Sequence, residues 1–174
     1  MEPEEVRDIL NRYISEMSAI AHQWGGTIDK FIGDAMMVFF GDPGFTDDKD
    51  QALRCVKMAM AMQERMEVLR KEWEGIGHQE TLRIRIGINT GYATVGNFGS
   101  EDRLNYTALG SEVNMASRLE TASAPDKITI SHTTYSLIKE EIECAAKGAI
   151  EVKGFSDPVK IYEIVRLKPK IDRQ

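Results

Sequence analysis

The stretch FIGDAMMVFFGDP, residues 31–43, sets two apolar, β-rich runs on either side of Gly33-Asp34. A glycine and an acid between such flanks predict a tight two-residue hairpin, with the glycine accepting the positive φ that these turns demand. One carboxylate, Asp34, then stands at a tip whose position is fixed by paired strands. It has two readings, an ordinary turn aspartate or a ligand held rigidly for a cation. The stretch alone does not choose between them.

Working outward, Val6, Ile9, Leu10, Tyr13, Met17, Ile20 and Trp24 recur at intervals of three and four residues between Pro3 and Gly25-Gly26, which predicts an amphipathic helix over 3–24. On the other side, Ala52, Cys55, Val56, Ala59, Met62, Met66 and Leu69 predict a helix over 50–72. Its methionines read as core filler, since the thioether adapts to irregular gaps. Strict alternation in LRIRIGI puts Leu82, Ile84, Ile86 and Ile88 on one face of a half-buried strand, and GYATVGNFG continues as a paired strand. SEVNMASRLETAS predicts a third helix with Val113, Ala116, Leu119 and Ala122 on its buried side. KITIS reads as a strand, HTTYSLIKEEI as a fourth helix, and AIEVKG and PVKIYEIV as two closing strands. Helices packed on a sheet make an α/β or α+β domain, and 174 residues with 42% hydrophobic content fit a single domain, 1–174.

Charge and composition narrow the function classes. A formal charge of −6 and a pI near 5.2 oppose nucleic-acid binding, which needs a concentrated basic face. The longest apolar run, AMMVFF, is far too short to span a bilayer, and no basic leader opens the chain, so a soluble domain without membrane contact is expected. Cys55 and Cys144 lack metal-type spacing and do not make a disulfide scaffold, which fits a reducing, cytoplasmic setting. Gly87, Gly91, Gly96 and Gly99 match neither phosphate-loop pattern and read as hairpin and bulge glycines. His22, His78 and His132 are scattered, which argues against a zinc site or a histidine-based triad.

Two details raise the interest of the tip. In the strand leading to it, alternation puts Ile28, Lys30 and Ile32 on one face, setting a cationic head among apolar neighbours that must be received by a pocket or a snorkelling exit. In the third helix, Asn114 and Arg118 lie four residues apart, so an amide and a guanidinium point the same way. The bland reading of that pair is a solvated polar stripe.

Taken together, K-F-I-G-D at 30–34, RIRIGINTGYATVGNFG at 83–99, Y-T-A-L-G at 106–110, V-N-x-A-S-R-L-E at 113–120 and V-K-G at 152–154 resemble the class III nucleotide cyclase catalytic domain, over nearly the whole chain and in the family's order. The resemblance implies a ferredoxin-like sheet of mainly antiparallel strands with flanking helices. It implies conversion of a nucleoside triphosphate to a 3′,5′-cyclic monophosphate and pyrophosphate, with two Mg²⁺ or Mn²⁺ ions per site. Asp34 matches the second of two metal-binding aspartates, Asn114 the ribose-positioning residue, and Arg118 the residue that stabilises charge at the α-phosphate. Lys153 matches a triphosphate-binding lysine, and Arg103 is a further basic contact. Base choice falls to Lys30 and Thr107, a pair similar to that of bacterial-type adenylate cyclases; many other members carry an aspartate at the Thr107 position. ATP is the expected substrate and a head-to-tail homodimer the expected assembly.

The family's first strand, F-x-D-I-x-G-F-T with the first metal aspartate, has no counterpart in these 174 residues. It is expected upstream, in a longer protein that also carries sensor or membrane domains. A catalytically silent regulatory or dimerisation module, a guanylate cyclase and a nucleotide-binding domain without turnover are the alternatives.

Overall fold

The structure is a computed structural model that describes residues 2–41, 47–78, 81–99 and 105–170, with the backbone alone described at 105 and 106. Helix α1 (Pro3–Gln23) starts with proline in its first turn and a reciprocal cap, in which the Glu2 amide donates to Glu5 Oε2 at 3.0 Å. Strands β1 (Thr27–Ile32) and β2 (Ala35–Phe39) form the antiparallel hairpin, and Gly33 at its turn takes φ +62°. Helix α2 (Asp48–Gly75) runs a little beyond the expected 50–72 at both ends, because the Asp47 side chain accepts the Asp50 amide at 2.7 Å and caps it.

The strand expected over 82–88 is shorter, with ladder pairing only in β3 (Ile86–Ile88). The alternation was nonetheless real, since Leu82, Ile84 and Ile86 pack against the core. The Ile84 carbonyl accepts from the Asp126 amide and the Gln63 amide nitrogen instead of from a neighbouring strand. Strands β4 (Thr94–Phe98) and β5 (Asn105–Leu109) form a second antiparallel hairpin. Gly110, at φ +138°, is the whole connection between β5 and α3 (Ser111–Ala122).

Beyond α3 come β6 (Ile128–Ser131), α4 (His132–Ile138), β7 (Ile142–Ile150) and β8 (Val159–Leu167). The fourth helix therefore stops four residues short of the expected end at 142. Ile142, 1% exposed, instead opens β7, whose pairing with β8 from Ile142↔Leu167 to Ile150↔Val159 is interrupted by two register shifts. The closing strand expected near 149–154 correspondingly ends at Ile150. β7 reads IECAAKGAI, which has little β propensity of its own; its conformation comes from a long partner rather than from local preference.

The four-stranded sheet runs β3-β6-β8-β7, and β3 with β6 is the one parallel pair among the five pairings of the described residues. Adjacent residues of β8 show the layering. Ile161 packs with Met115 and Leu119 of α3, whereas Tyr162 stacks on Tyr135 of α4 at 3.8 Å between ring centroids. α3 covers one face and α4, with α2 beside it, the other. The core of α1 and α2 holds Ile9, Tyr13, Met17, Met62, Met66 and Leu69 of the expected set, joined by Ala21, Met58 and Trp73, whereas Val6 is exposed; Met58, Met62 and Met66 of α2 are core. This mixed α/β architecture, with mainly antiparallel pairing and flanking helices, is the fold class expected from the sequence.

Candidate functional site

An open groove of about 2300 Å³ runs between the β1–β2 hairpin, α3 and the turn after β7, and Lys30, Asp34, Asn114, Arg118 and Lys153 all line it. Five expected site residues, separated by up to 123 positions in the chain, thus share one surface. Arg103 lies outside the described residues. The groove exceeds the roughly 300–1000 Å³ of an ordinary small-molecule site, so one small ligand would not fill it.

Lys30 sits where the sequence placed it along the chain but not on the face that alternation gave. The register shifts between Ile28, opposite Val38, and Lys30, opposite Met37, so Asp29 is an extra residue in β1. Because Val38 and Met37 face opposite ways, Ile28 and Lys30 do too, and Lys30 keeps only Ile32 of its two expected neighbours. Its ammonium comes 3.4 Å from the hydroxyl of Thr107, which is 6% exposed in β5. These two residues, 77 apart in sequence, are brought together as the resemblance implied.

The bulge also turns in a group that the sequence reading passed over. The Asp29 side chain is 1% exposed, and its Oδ2 accepts from the Thr107 hydroxyl at 2.8 Å and from the Ala108 amide at 2.9 Å. Its Oδ1 is 3.9 Å from the Lys30 ammonium. The available signal was an acid inside an otherwise β-forming run, where aspartate is disfavoured unless a specific partner receives it.

Asn114 and Arg118 are both exposed on α3, one turn apart. Of the expected buried side of that helix Leu119 is buried, Val113 and Ala116 are half-buried and Ala122 is exposed, while Met115, which was not expected, is buried. The expected residues recur every third position and drift around a 3.6-residue helix, whereas Met115 and Leu119 keep the i, i+4 spacing of one stripe. The first turn of α3 is tied down by Asn89, whose Nδ2 donates to the Glu112 carbonyl at 3.0 Å and to Glu112 Oε2 at 2.6 Å, while Ser131 Oγ donates to Asn89 Oδ1 at 2.7 Å. Gly87 is neither a hairpin nor a bulge glycine; it lies in β3 against the backbone of α3. Lys153 projects from a turn anchored by Val152, which is 5% exposed and packs with α3.

Asp34 is exposed at the tip of the hairpin. Its charge reaches Tyr13 of α1, whose phenol is pushed above its ordinary range by burial first, then by Asp34 and Glu120. Among the described residues, no three His, Cys, Asp or Glu side chains cluster so as to hold a metal ion. Asp34 therefore fits one ligand position of a divalent-ion site and cannot make up the site with its described neighbours. Burial pushes the Cys55 thiol up to about 12 and the Cys144 thiol up to about 11, so neither is an activated nucleophile. No helix among the described residues is long and apolar enough to cross a membrane.

Comparison with known proteins bears on this groove directly. Adenylate cyclase 1 of Rhizobium meliloti is 35% identical over 166 residues, which are 94% of this chain and 24% of that protein. The chain thus spans about a quarter of that relative's length. The solved structure of the adenylyl cyclase CyaB from P. aeruginosa is 54% identical and superposes with a TM-score of 0.92, covering 100% of this chain and 88% of that one. The guanylyl cyclase Cya2 is 35% identical with a TM-score of 0.88, covering 99% and 86%. The guanylate cyclase domain of RhGC from Catenaria anguillulae, 30% identical, was solved in complex with GTP, and that of RhoGC from Blastocladiella emersonii, 27% identical, as a non-canonical dimer. Residues 1–166 match the adenylate and guanylate cyclase catalytic domain, and the chain belongs to that family.

Proposed function

We propose that residues 1–174 form one catalytic domain of an adenylate cyclase, converting ATP to 3′,5′-cyclic AMP and pyrophosphate in signal transduction. The observation that carries this reading is the approach of the Lys30 ammonium to the Thr107 hydroxyl at 3.4 Å. An ammonium only donates hydrogen bonds, so it suits adenine N1, an acceptor, and disfavours guanine N1, which carries a hydrogen. That choice favours ATP over GTP and sets the guanylate cyclase reading second.

The remaining residues take the roles that the family resemblance implies. The ribose 3′-oxygen forms a bond to the α-phosphorus, the bond to the β-phosphate bridging oxygen breaks, pyrophosphate leaves and the 3′-hydroxyl proton is lost. Asn114 orients the ribose, Arg118 neutralises the charge that grows on the α-phosphate oxygens, and Lys153, with Arg103, holds the triphosphate. Two divalent ions, Mg²⁺ or Mn²⁺, would supply acidification of the 3′-hydroxyl and charge neutralisation when bound, and Asp34 would be one of the residues that hold them.

A head-to-tail homodimer in the cytoplasm completes the proposal, with the groove's second wall supplied by the partner and sensor or membrane domains elsewhere in the protein. There is no role for nucleic acid, in keeping with the acidic chain. The full-length protein, given ATP or GTP with Mn²⁺, tests it. Cyclic AMP formed in preference to cyclic GMP is expected; cyclic GMP in excess would reverse the substrate assignment, and no product from either would leave a silent regulatory module.

A further inference from the structure

Asp29 is a buried acid that the reaction outlined above does not use, and its contacts have a polarity. The Lys30 ammonium has no lone pair, so in its 3.4 Å contact with Thr107 the hydroxyl oxygen must accept. The single hydroxyl hydrogen is then free for one acceptor, and Asp29 Oδ2 stands 2.8 Å away. The same carboxylate oxygen holds the Ala108 amide at 2.9 Å, so the strand carrying Thr107 is fixed to the bulge at two points. The Asp29 side chain is only 1% exposed, and water has little access to compete for these donors.

We propose that Asp29 is a positioning residue for nucleotide selection, which fixes the Thr107 hydroxyl with its hydrogen turned away from the base and its lone pair turned toward it. This rests on the reading of Lys30 and Thr107 as the base-recognition pair. A hydroxyl whose hydrogen is committed offers the base an acceptor only. It can receive a hydrogen from the exocyclic amine of adenine, whereas the carbonyl oxygen that guanine carries at the same ring position finds no donor there. A threonine left free to rotate would serve both bases, so the discrimination that Thr107 adds to that of Lys30 comes from the acid beneath it. The bulge at Asp29 provides the geometry: one extra residue lets two consecutive side chains, Asp29 and Lys30, reach the same hydroxyl.

Asp29→Ala tests the assignment in the full-length enzyme. Removing the carboxylate takes away the single oxygen that receives both the Thr107 hydroxyl and the Ala108 amide, which releases the hydroxyl hydrogen toward the base. The ATP-over-GTP ratio of kcat/KM should fall by on the order of tenfold. The relative affinities for the non-reacting α,β-methylene analogues of ATP and GTP should move the same way. On a Thr107→Val background the same substitution should change the ratio less than about twofold, since there is no hydroxyl left to direct. An unchanged ratio in Asp29→Ala, in an enzyme whose preference does respond to Lys30→Glu, overturns the proposal and leaves the base-site reading intact. A preference that responds to neither removes the base-site reading as well. Where Asp29→Ala does not fold, Thr107→Ser and Thr107→Val decide: the serine should keep the ratio and the valine lose it, and a valine that keeps it overturns the proposal.

Discussion

Gly87 of β3 lies in direct contact with the backbone of Ala116 in α3: a Cβ at that glycine would stand 2.5 Å from the Ala116 carbonyl oxygen, and the neighbouring Leu119 carbonyl carbon would be 2.7 Å away. Both obstacles are backbone and neither can swing aside. β3 and α3 meet at this point, and α3 carries Asn114 and Arg118, so the glycine sets the depth at which the helix rests on the sheet.

Gly87→Ala should therefore push α3 outward, costing about 1–3 kcal/mol of stability by overpacking and displacing Asn114 and Arg118 together. Urea unfolding and kcat measured on the same preparation check this. A variant with wild-type stability and activity would mean that the helix seats without this contact.

Lys30→Glu should cost ATP activity and lower the ATP-over-GTP ratio by roughly tenfold or more, because a carboxylate accepts from guanine N1 where the ammonium could not. Steady-state kinetics with both nucleotides provide the measurement, and an unaltered ratio would take Lys30 out of the base site.

How far this much could be read from the chain varied with the kind of signal. Helix α1 and the Gly33-Asp34 hairpin were legible because their signals are local: a 3.6-residue stripe bounded by Pro3 and Gly25-Gly26, and a glycine that supplies φ +62°. β7 was largely missed because its conformation is imposed by β8, whose partner residues lie up to 25 positions further on, at Ile142↔Leu167. The bulge at Asp29 hid for a related reason. Period-2 counting assumes unbroken pairing, and one inserted residue reverses the face of everything on one side of it. Lys30 was thus singled out on a false alternation, while its approach to Thr107 depends on the break.

Arg118→Ala should lower kcat by roughly 10²-fold or more with little change in KM, since the interaction grows only as charge builds on the α-phosphate. Arg118 is exposed and has no ion-pair partner among the described residues, so the loss would not be confounded by a broken salt bridge. A raised KM at constant kcat would instead make it a ground-state phosphate contact.

Glu16 of α1 receives Arg65 of α2 in two hydrogen bonds, Nε to Oε2 at 2.9 Å and Nη2 to Oε1 at 3.0 Å. Those bonds, ahead of the charges of Arg65 and Arg12, hold its carboxyl below the usual range. A depressed acid contributes stability that is present above its unfolded value of 4.5 and is lost as pH falls through its folded value. Glu16→Gln should therefore cost about 0.5–1 kcal/mol at pH 7, and the gap from wild type should narrow as pH falls from 4.5 through the lowered folded value. Denaturant midpoints at pH 7 and pH 3 report it, and an equal gap at both would assign the loss to packing.

The final expectation concerns the assembly and applies to a protein that carries the family's first metal aspartate. In a head-to-tail dimer each of two sites takes its metal aspartates from one protomer and its base, ribose and phosphate residues from the other, so Asp34 and Arg118 of a single chain serve different sites. An Asp34→Asn homodimer and an Arg118→Ala homodimer should each be nearly inactive, since every site in either lacks one essential group. Random pairing of the two makes about half the dimers mixed, and in a mixed dimer one site carries both lesions while the other is intact, so activity should recover to about a quarter of wild type. Subunit exchange can be verified by tagging the two variants differently and isolating the mixed species, in which half of wild-type activity per dimer is expected. If purified mixed dimers are no more active than either parent, Asp34 and Arg118 do not meet across a shared interface. The groove they both line would then have to act within one protomer.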